Sequence, residues 1–104
     1  MPVYLLDKEL VFPPPEDANE EGIVAVGGDL TPERLMLAYE QGIFPWPARG
    51  YPLLWFSPDP RFALVPARAH VSRSLRKVIR KGELRVTADT CFLDVINACA
   101  AMPR

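Results

Sequence analysis

The spacing of apolar and polar positions predicts three helices in this chain. Thr31 followed by Pro32 is typical of a helix start and Gly42 of a helix end, so a first helix is predicted over residues 32–41. A second helix is predicted over residues 72–81, because a glycine follows it directly. Both helices are therefore defined by local signals, before any packing is considered.

A third helix is predicted to follow Asp89, whose side chain is expected to cap its first turn. Four of its side chains recur at i, i+3, i+4 and i+7, the spacing of a buried stripe: Phe92, Val95, Ile96 and Cys99. Cys91 and Cys99 lie too far apart along this helix to form a disulfide. Both are therefore expected to be reduced thiols in the core.

Short apolar runs bounded by turn residues predict strands. These runs are Ile23–Val26, Leu53–Phe56, Phe62–Val65 and Leu84–Thr87. Six prolines between residues 45 and 66 require an extended backbone there, because proline disfavours helix at its own position and at the preceding one. The aromatic side chains of this segment indicate an ordered connector rather than a flexible linker.

The order of these elements predicts an α+β fold in two parts. Residues 1–60 are predicted to form a small mixed domain. Residues 61–104 are predicted to supply strand, helix, strand and helix, which is the β-α-β-α opening of a larger α/β domain. No further strand follows to complete that sheet, so a truncated domain is expected.

Composition is that of a globular protein, but the two halves differ in charge. Residues 1–52 hold three basic and nine acidic residues, a net charge of −6, whereas residues 53–104 hold nine basic and four acidic residues, a net charge of +5. A basic half of this kind favours nucleic acid as a partner. The sequence shows neither a membrane span nor a signal-peptide pattern, so a cytoplasmic protein without membrane contact is predicted.

The second predicted helix separates its cations from its apolar residues. Its cations include Arg73, Arg76, Lys77 and Arg80, and its apolar residues are Val71, Leu75, Val78 and Ile79. The basic face is either a solvated surface or a phosphate-binding surface. No acidic residue occurs between Asp59 and Glu83, so the usual i, i+4 ion pairs of a solvated face are missing. The two interpretations are therefore evenly balanced.

Trp46 stands between two prolines, so its indole is held on a stiff segment. Such a ring can stack on a nucleobase or pack over the domain boundary. Burial is the favoured interpretation from composition alone, and more strongly so for Trp55. Asp59 is expected to order a turn and to form an ion pair with Arg61.

The remaining sequence motifs do not indicate a catalytic or metal-binding site. Gly27-Gly28-Asp29 lacks the spacing of a phosphate-binding loop, so it predicts a structural turn. The sequence contains no recognisable carboxylate pair, catalytic triad or cysteine–histidine cluster. No catalytic or metal-binding residue is assigned.

Five motifs occur in series along the chain: Gly27–Pro32, Ala38-Tyr39, Gly42–Trp46, Trp55–Arg61 and His70–Ser74. Taken in order, they resemble the N-terminal portion of the bacterial leucyl/phenylalanyl-tRNA-protein transferases. The resemblance covers nearly the whole chain, from about Phe12 to Cys99.

This resemblance implies an enzyme that moves leucine or phenylalanine from charged tRNA to the N-terminal arginine or lysine of an acceptor protein, which marks the acceptor for degradation. The acceptor's α-amine attacks an ester that is already activated, so neither ATP nor a metal nor any other cofactor is implied. The implied partners are Leu-tRNA, Phe-tRNA and the acceptor protein, and the full-length enzyme is expected to be monomeric. The implied fold joins a small N-terminal domain to an acetyltransferase-like (GNAT-like) domain.

The resemblance also implies residue roles. Trp46 aligns with a tryptophan that contacts the aminoacyl-adenosine end of the tRNA, which reverses the preference for burial. A basic surface for the acceptor arm is implied for Arg73, Arg76, Lys77, Arg80 and Lys81. Catalytic residues are expected beyond Arg104, so the chain alone is expected to be inactive and prone to association after about residue 66.

Two alternatives remain open on the sequence. One is a stand-alone tRNA- or RNA-binding module without catalysis. The other is a non-enzymatic interaction domain that presents prolines and tryptophans to other proteins.

Overall fold

A computed structural model describes residues 3–103 of the chain. Its strands and α-helices are, in order, β1 (Tyr4–Leu6), β2 (Ile23–Gly27), α1 (Pro32–Glu40), β3 (Phe44–Pro45), β4 (Leu54–Phe56), α2 (Arg73–Lys81) and α3 (Phe92–Ala101). Two short 3-10 helices cover Pro15–Asp17 and Pro66–Arg68. The chain divides into two compact units, the first ending at Ala63 and the second beginning at Leu64. The boundary predicted from the sequence lies slightly earlier, between residues 60 and 61.

The first unit is built on a four-stranded mixed sheet in the order β1-β2-β4-β3. β1 runs parallel to β2, and the other two neighbouring pairs are antiparallel. The predicted runs Ile23–Val26 and Leu53–Phe56 are confirmed as β2 and β4. β3 was missed, because a two-residue strand containing Pro45 has no sequence signal of its own; it lies at the sheet edge, where a proline is tolerated.

The core of the first unit is centred on Trp55, which is fully buried. Its indole Nε1 donates to the carbonyl oxygen of Gly27 at 2.8 Å, and its ring forms a T-shaped pair with the Phe12 ring at a centroid distance of 4.9 Å. The buried apolar side chains are Phe12, Val24, Ala25, Ala38, Ile43 and Trp55. The predicted burial of Trp55 is confirmed.

Helix α1 begins and ends close to the predicted positions. The side chain of Thr31 accepts a hydrogen bond from the backbone N–H of Arg34, and Pro32 occupies the first turn. Gly42 follows the helix with φ +76°, a conformation that favours glycine. The helix is therefore set by its capping residues, as expected.

The Gly27-Gly28-Asp29 segment leads from the end of β2 to the start of α1, and its two glycines have φ +89° and +76°, values that suit a structural turn. The Asp29 carboxylate accepts hydrogen bonds from the hydroxyl and backbone N–H of Thr31 and from Nε of Arg34, at 2.7, 3.2 and 3.2 Å. The Thr31 hydrogen bonds and the Arg34 guanidinium lower the pKa of Asp29 below its ordinary value. Arg34 is fully buried, and its Nη2 donates to the carbonyl oxygen of Asp7 at 2.7 Å. This network joins the start of α1 to the segment after β1.

The second unit contains two α-helices within residues 64–103, of which α2 matches its prediction. Ser72 caps the N-terminus by accepting from the N–H of Leu75 at 3.2 Å, and Gly82 ends the helix in the left-handed conformation at φ +66°. The predicted cap of the third helix is wrong. α3 begins only at Phe92, with Cys91 at the N-cap position and no side-chain capping bond, while Asp89 occupies a positive φ of 58°.

The two strands predicted for the second part are wrong. Residues 62–65 and 84–87 have no strand structure, because a strand needs a hydrogen-bonded neighbour and residues 64–103 supply none. The predicted buried stripe of α3 is exposed for the same reason, since within residues 64–103 no other element packs extensively on this helix. Cys91 and Cys99 are free, as expected, but they are exposed rather than in a core.

No helix within residues 3–103 has both the length and the apolar character that crossing a bilayer requires.

Candidate nucleic-acid interface

Trp46 presents its indole to solvent, with 66% of its surface exposed. It directly follows β3, and its backbone N–H donates to the carbonyl oxygen of Leu54 at 3.1 Å, which extends the pairing with β4. The burial favoured by composition is not found. The ring is therefore free to stack on a planar ligand while its backbone is held by the sheet.

Sheet alternation explains why Trp46 and Trp55 differ. Pro45 pairs with Trp55 across the antiparallel β3–β4 ladder, so these two residues lie on one face. Trp46 is the next residue along and belongs to the opposite face. Phe44 and its partner Phe56 belong to that face too, and their rings stack at a centroid distance of 6.1 Å.

Arg61 also reaches the Phe44 face. Its Nη1 donates to the carbonyl oxygen of Gly42 at 2.7 Å, and its guanidinium carbon lies 5.1 Å from the centroid of the Phe44 ring. The predicted ion pair with Asp59 is wrong, because within residues 3–103 the guanidinium is engaged by this carbonyl and ring instead. Sequence reasoning missed both contacts, since they join Arg61, which follows β4, to residues just before and at the start of β3.

Helix α2 carries the five cations assigned to tRNA on one helical face, at i, i+3, i+4, i+7 and i+8. They are Arg73, Arg76, Lys77, Arg80 and Lys81. All five are exposed, and none forms a salt bridge with another residue of the described range 3–103. The structure therefore brings these predicted residues together on a single continuous surface.

This arrangement is unfavourable for an isolated helix. Arg73 and Lys77, and likewise Arg76 and Arg80, are like charges at i, i+4, which destabilise a helix by about 0.2–0.5 kcal/mol per pair. Arg73 also lies at the N-terminus, where the helix dipole disfavours a cation. A row of phosphates along this face would relieve both effects. The charge pattern therefore favours a polyanionic ligand over a solvated surface.

Both structural units match models of one protein family. Residues 28–59 match a family model described as leucyl/phenylalanyl-tRNA protein transferase N-terminal domain, and residues 63–104 match one described as leucyl/phenylalanyl-tRNA protein transferase. The first match lies within the first structural unit, and the second covers Ala63 and the whole of the second unit. The chain belongs to the leucyl/phenylalanyl-tRNA-protein transferase family.

Curated relatives carry the same family name. The leucyl/phenylalanyl-tRNA–protein transferase of Myxococcus xanthus (strain DK1622) is 57% identical over 106 residues, covering 100% of this chain and 45% of the relative. Those of Desulfatibacillum aliphaticivorans and Anaeromyxobacter sp. (strain Fw109-5) are each 54% identical, covering 98% and 100% of this chain and 44% of each relative. The resemblance seen in the motifs is confirmed. The chain spans a little under half the length of these relatives.

Proposed function

We propose that the full-length protein, meaning the product of the complete reading frame, transfers leucine or phenylalanine from charged tRNA to the N-terminal arginine or lysine of acceptor proteins. The observation that carries the proposal is the serial match of both structural units to models of one transferase family. The relatives' names specify a leucyl- or phenylalanyl-tRNA and a protein as the substrates of those enzymes.

The proposed reaction is the aminolysis of an ester. The acceptor's α-amine attacks the aminoacyl carbonyl carbon, a C–N bond forms, and the bond to the 3′ ribose oxygen breaks. The nitrogen gives up a proton and the departing ribose oxygen takes one up. The ester supplies the driving force, so no nucleotide hydrolysis is part of the proposal.

In this proposal the residues described here bind and orient the tRNA. Trp46 stacks on the aminoacyl-adenosine end, a contact of the kind that contributes about 1–3 kcal/mol per base. The basic face of α2 neutralises phosphates of the acceptor arm, which makes binding strongly dependent on salt. Positioning of this sort is a large part of catalysis when two substrates must meet in one geometry.

The exposed α3 stripe favours a larger second domain, and an acetyltransferase-like architecture is our proposal for it. Charged tRNA is a cytoplasmic substrate, so the proposed site of action is the cytoplasm.

The test is a transfer assay with labelled phenylalanine on its tRNA and an acceptor protein with N-terminal lysine. We expect transfer by the full-length protein and none by the 104-residue chain. An acceptor with N-terminal glycine is the matched control and should remain unlabelled. If the full-length protein binds tRNA but transfers nothing, the alternative of an RNA-binding module replaces the proposal.

A further inference from the structure

We infer that Arg61 is a positioning residue for Trp46, holding the segment that presents the indole. This inference rests on the proposed function, in which Trp46 contacts the end of the tRNA. Arg61 contacts the Gly42 carbonyl and the Phe44 ring, and all three residues belong to the first unit.

The segment from Gly42 to Trp46 is anchored on one side, where the Ile43 side chain is fully buried and the N–H of Trp46 donates to the Leu54 carbonyl oxygen. β3 is only two residues long and lies at the edge of the sheet, and Pro45 has no N–H to donate. The opposite side of the segment carries the half-buried Phe44 and the exposed Trp46, and neither belongs to the core. A contact made on that side from outside the segment therefore helps to set where the indole lies.

Arg61 supplies such a contact at two points. Its Nη1 fixes the Gly42 carbonyl at 2.7 Å, at the start of the segment. Its guanidinium covers the Phe44 ring, which in turn stacks on Phe56 in β4. Phe44 and Trp46 lie two residues apart on the same face, so the stack of Arg61, Phe44 and Phe56 lies on the face to which the indole belongs.

Arginine suits this task and lysine does not. A planar guanidinium can donate a hydrogen bond in its plane while its face covers an aromatic ring. A lysine ammonium retains the charge but lacks the flat face. The conservative substitution Arg61→Lys therefore separates the charge of this residue from its geometry.

The test compares four variants of the full-length protein: R61K, R61Q, F44L and the double variant R61Q/F44L. We expect R61Q and F44L each to lower kcat/KM for transfer from Phe-tRNA by about 10-fold or more, since misplacement by about 1 Å can cost 100-fold. The kcat/KM of R61K should be close to that of R61Q, because lysine keeps the charge but not the planar guanidinium. The double variant should lose little more than either single variant, because both act through the same stack.

A second readout is independent of transfer. The fluorescence anisotropy of Trp46, taken as the difference between each protein and its W46F counterpart, should fall in R61Q and F44L. Arg49→Gln is the matched control, since Arg49 is an exposed arginine of the same unit with no hydrogen bond or ring contact within residues 3–103. The R49Q variant should leave both the kcat/KM for transfer and the anisotropy of Trp46 unchanged.

The outcomes separate the two proposals. If R61K restores transfer, F44L is silent and R61Q reduces the salt dependence of tRNA binding, then Arg61 contacts a phosphate directly and the inference is overturned. Unchanged transfer and anisotropy in R61Q also overturn it. If the unmodified protein transfers nothing, the proposed function fails, while the anisotropy still shows whether Arg61 holds Trp46.

Discussion

Trp46 and Trp55 show how far a single residue's role depends on its strand partner. Both lie in aromatic, proline-rich sequence, yet Trp55 is fully buried and Trp46 is 66% exposed. Composition favours burial for each. Only the pairing of Pro45 with Trp55 shows that the next residue, Trp46, belongs to the other face of the sheet.

Replacing Trp46 by alanine should therefore weaken use of charged tRNA without unfolding the protein. Loss of an exposed ring removes little buried surface, whereas loss of one base stack costs about 1–3 kcal/mol, a factor of roughly 5–150 in kcat/KM. The measurement is single-turnover transfer together with a thermal unfolding curve. Tyr51→Ala is the control, since this tyrosine is 72% exposed and lies in the same connector. Equal effects of both substitutions would contradict a specific role for Trp46.

Gly28 allows a second test at the scale of one residue. A Cβ at this position would lie 3.1 Å from Cδ1 of Leu6 and 3.2 Å from Nε of Arg34, and the residue has φ +76°. Gly28→Ala should therefore strain the backbone and also displace the buried guanidinium.

A substitution at Gly50 separates the backbone strain from the displacement of the Arg34 guanidinium. Gly50 has φ +83°, and a Cβ there would meet no atom within 4 Å. Gly50→Ala should lower the free energy of unfolding by only about 1 kcal/mol, and Gly28→Ala by about 2–3 kcal/mol. The measurement is urea denaturation of the full-length protein. Equal losses would mean that Arg34 moves aside freely and that the turn does not depend on its position.

At the scale of elements, the sequence predicts helices better than strands. α1 and α2 agree with prediction within about a residue, because Thr31, Ser72 and the glycines that follow each helix act locally. The runs 62–65 and 84–87 have strand-like composition but no partner within the second unit. Strand composition describes a surface that fits a sheet, and does not supply the neighbouring strand.

In the candidate site, too, local features were predictable from the sequence and long-range contacts were not. The cations of α2 share one face because helical spacing alone places them there, and this part was predictable. The contacts of Arg61 with Gly42 and Phe44 were not, since they depend on where the chain after β4 returns to the sheet. The fully buried Arg34 was missed too, because its site is formed by a distant carbonyl, that of Asp7.

Reversing Arg76 and Arg80 to glutamate should weaken tRNA binding and flatten its salt dependence. Each lost phosphate contact reduces the slope of log K against log salt by about 0.7–0.9. The control reverses Lys8 and Arg68, two exposed cations outside α2, and so makes the same change in net charge. The measurement is the affinity of each double variant for tRNA between about 50 and 300 mM salt. If both double variants lose affinity equally, the effect is one of overall charge and not of the α2 face.

At the scale of the whole molecule, the two units differ in how well they are packed. The first has a sheet, a helix and a core around Trp55. The second has two helices whose apolar side chains are exposed, including Leu75 and Ile79 on α2 and Phe92 and Val95 on α3. Such surfaces are stable only when covered, and the relatives are about twice as long as this chain. We therefore expect the cover to come from sequence beyond residue 104.

Hydrogen exchange should show this difference directly. In the 104-residue chain, amides of β2, β4 and α1 should be protected, whereas those of α2 and α3 should exchange nearly as fast as an unfolded chain, because short helices without packing are marginal in water. In the full-length protein, α2 and α3 should gain protection while β2 and β4 serve as internal controls that change little. Strong protection of α3 in the 104-residue chain would contradict this account, since it would mean that packing or self-association already stabilises the helix in that chain. Protection of both helices only in the longer protein would place the remainder of the domain on their apolar faces, and would leave the cations on the opposite face of α2 available to bind tRNA.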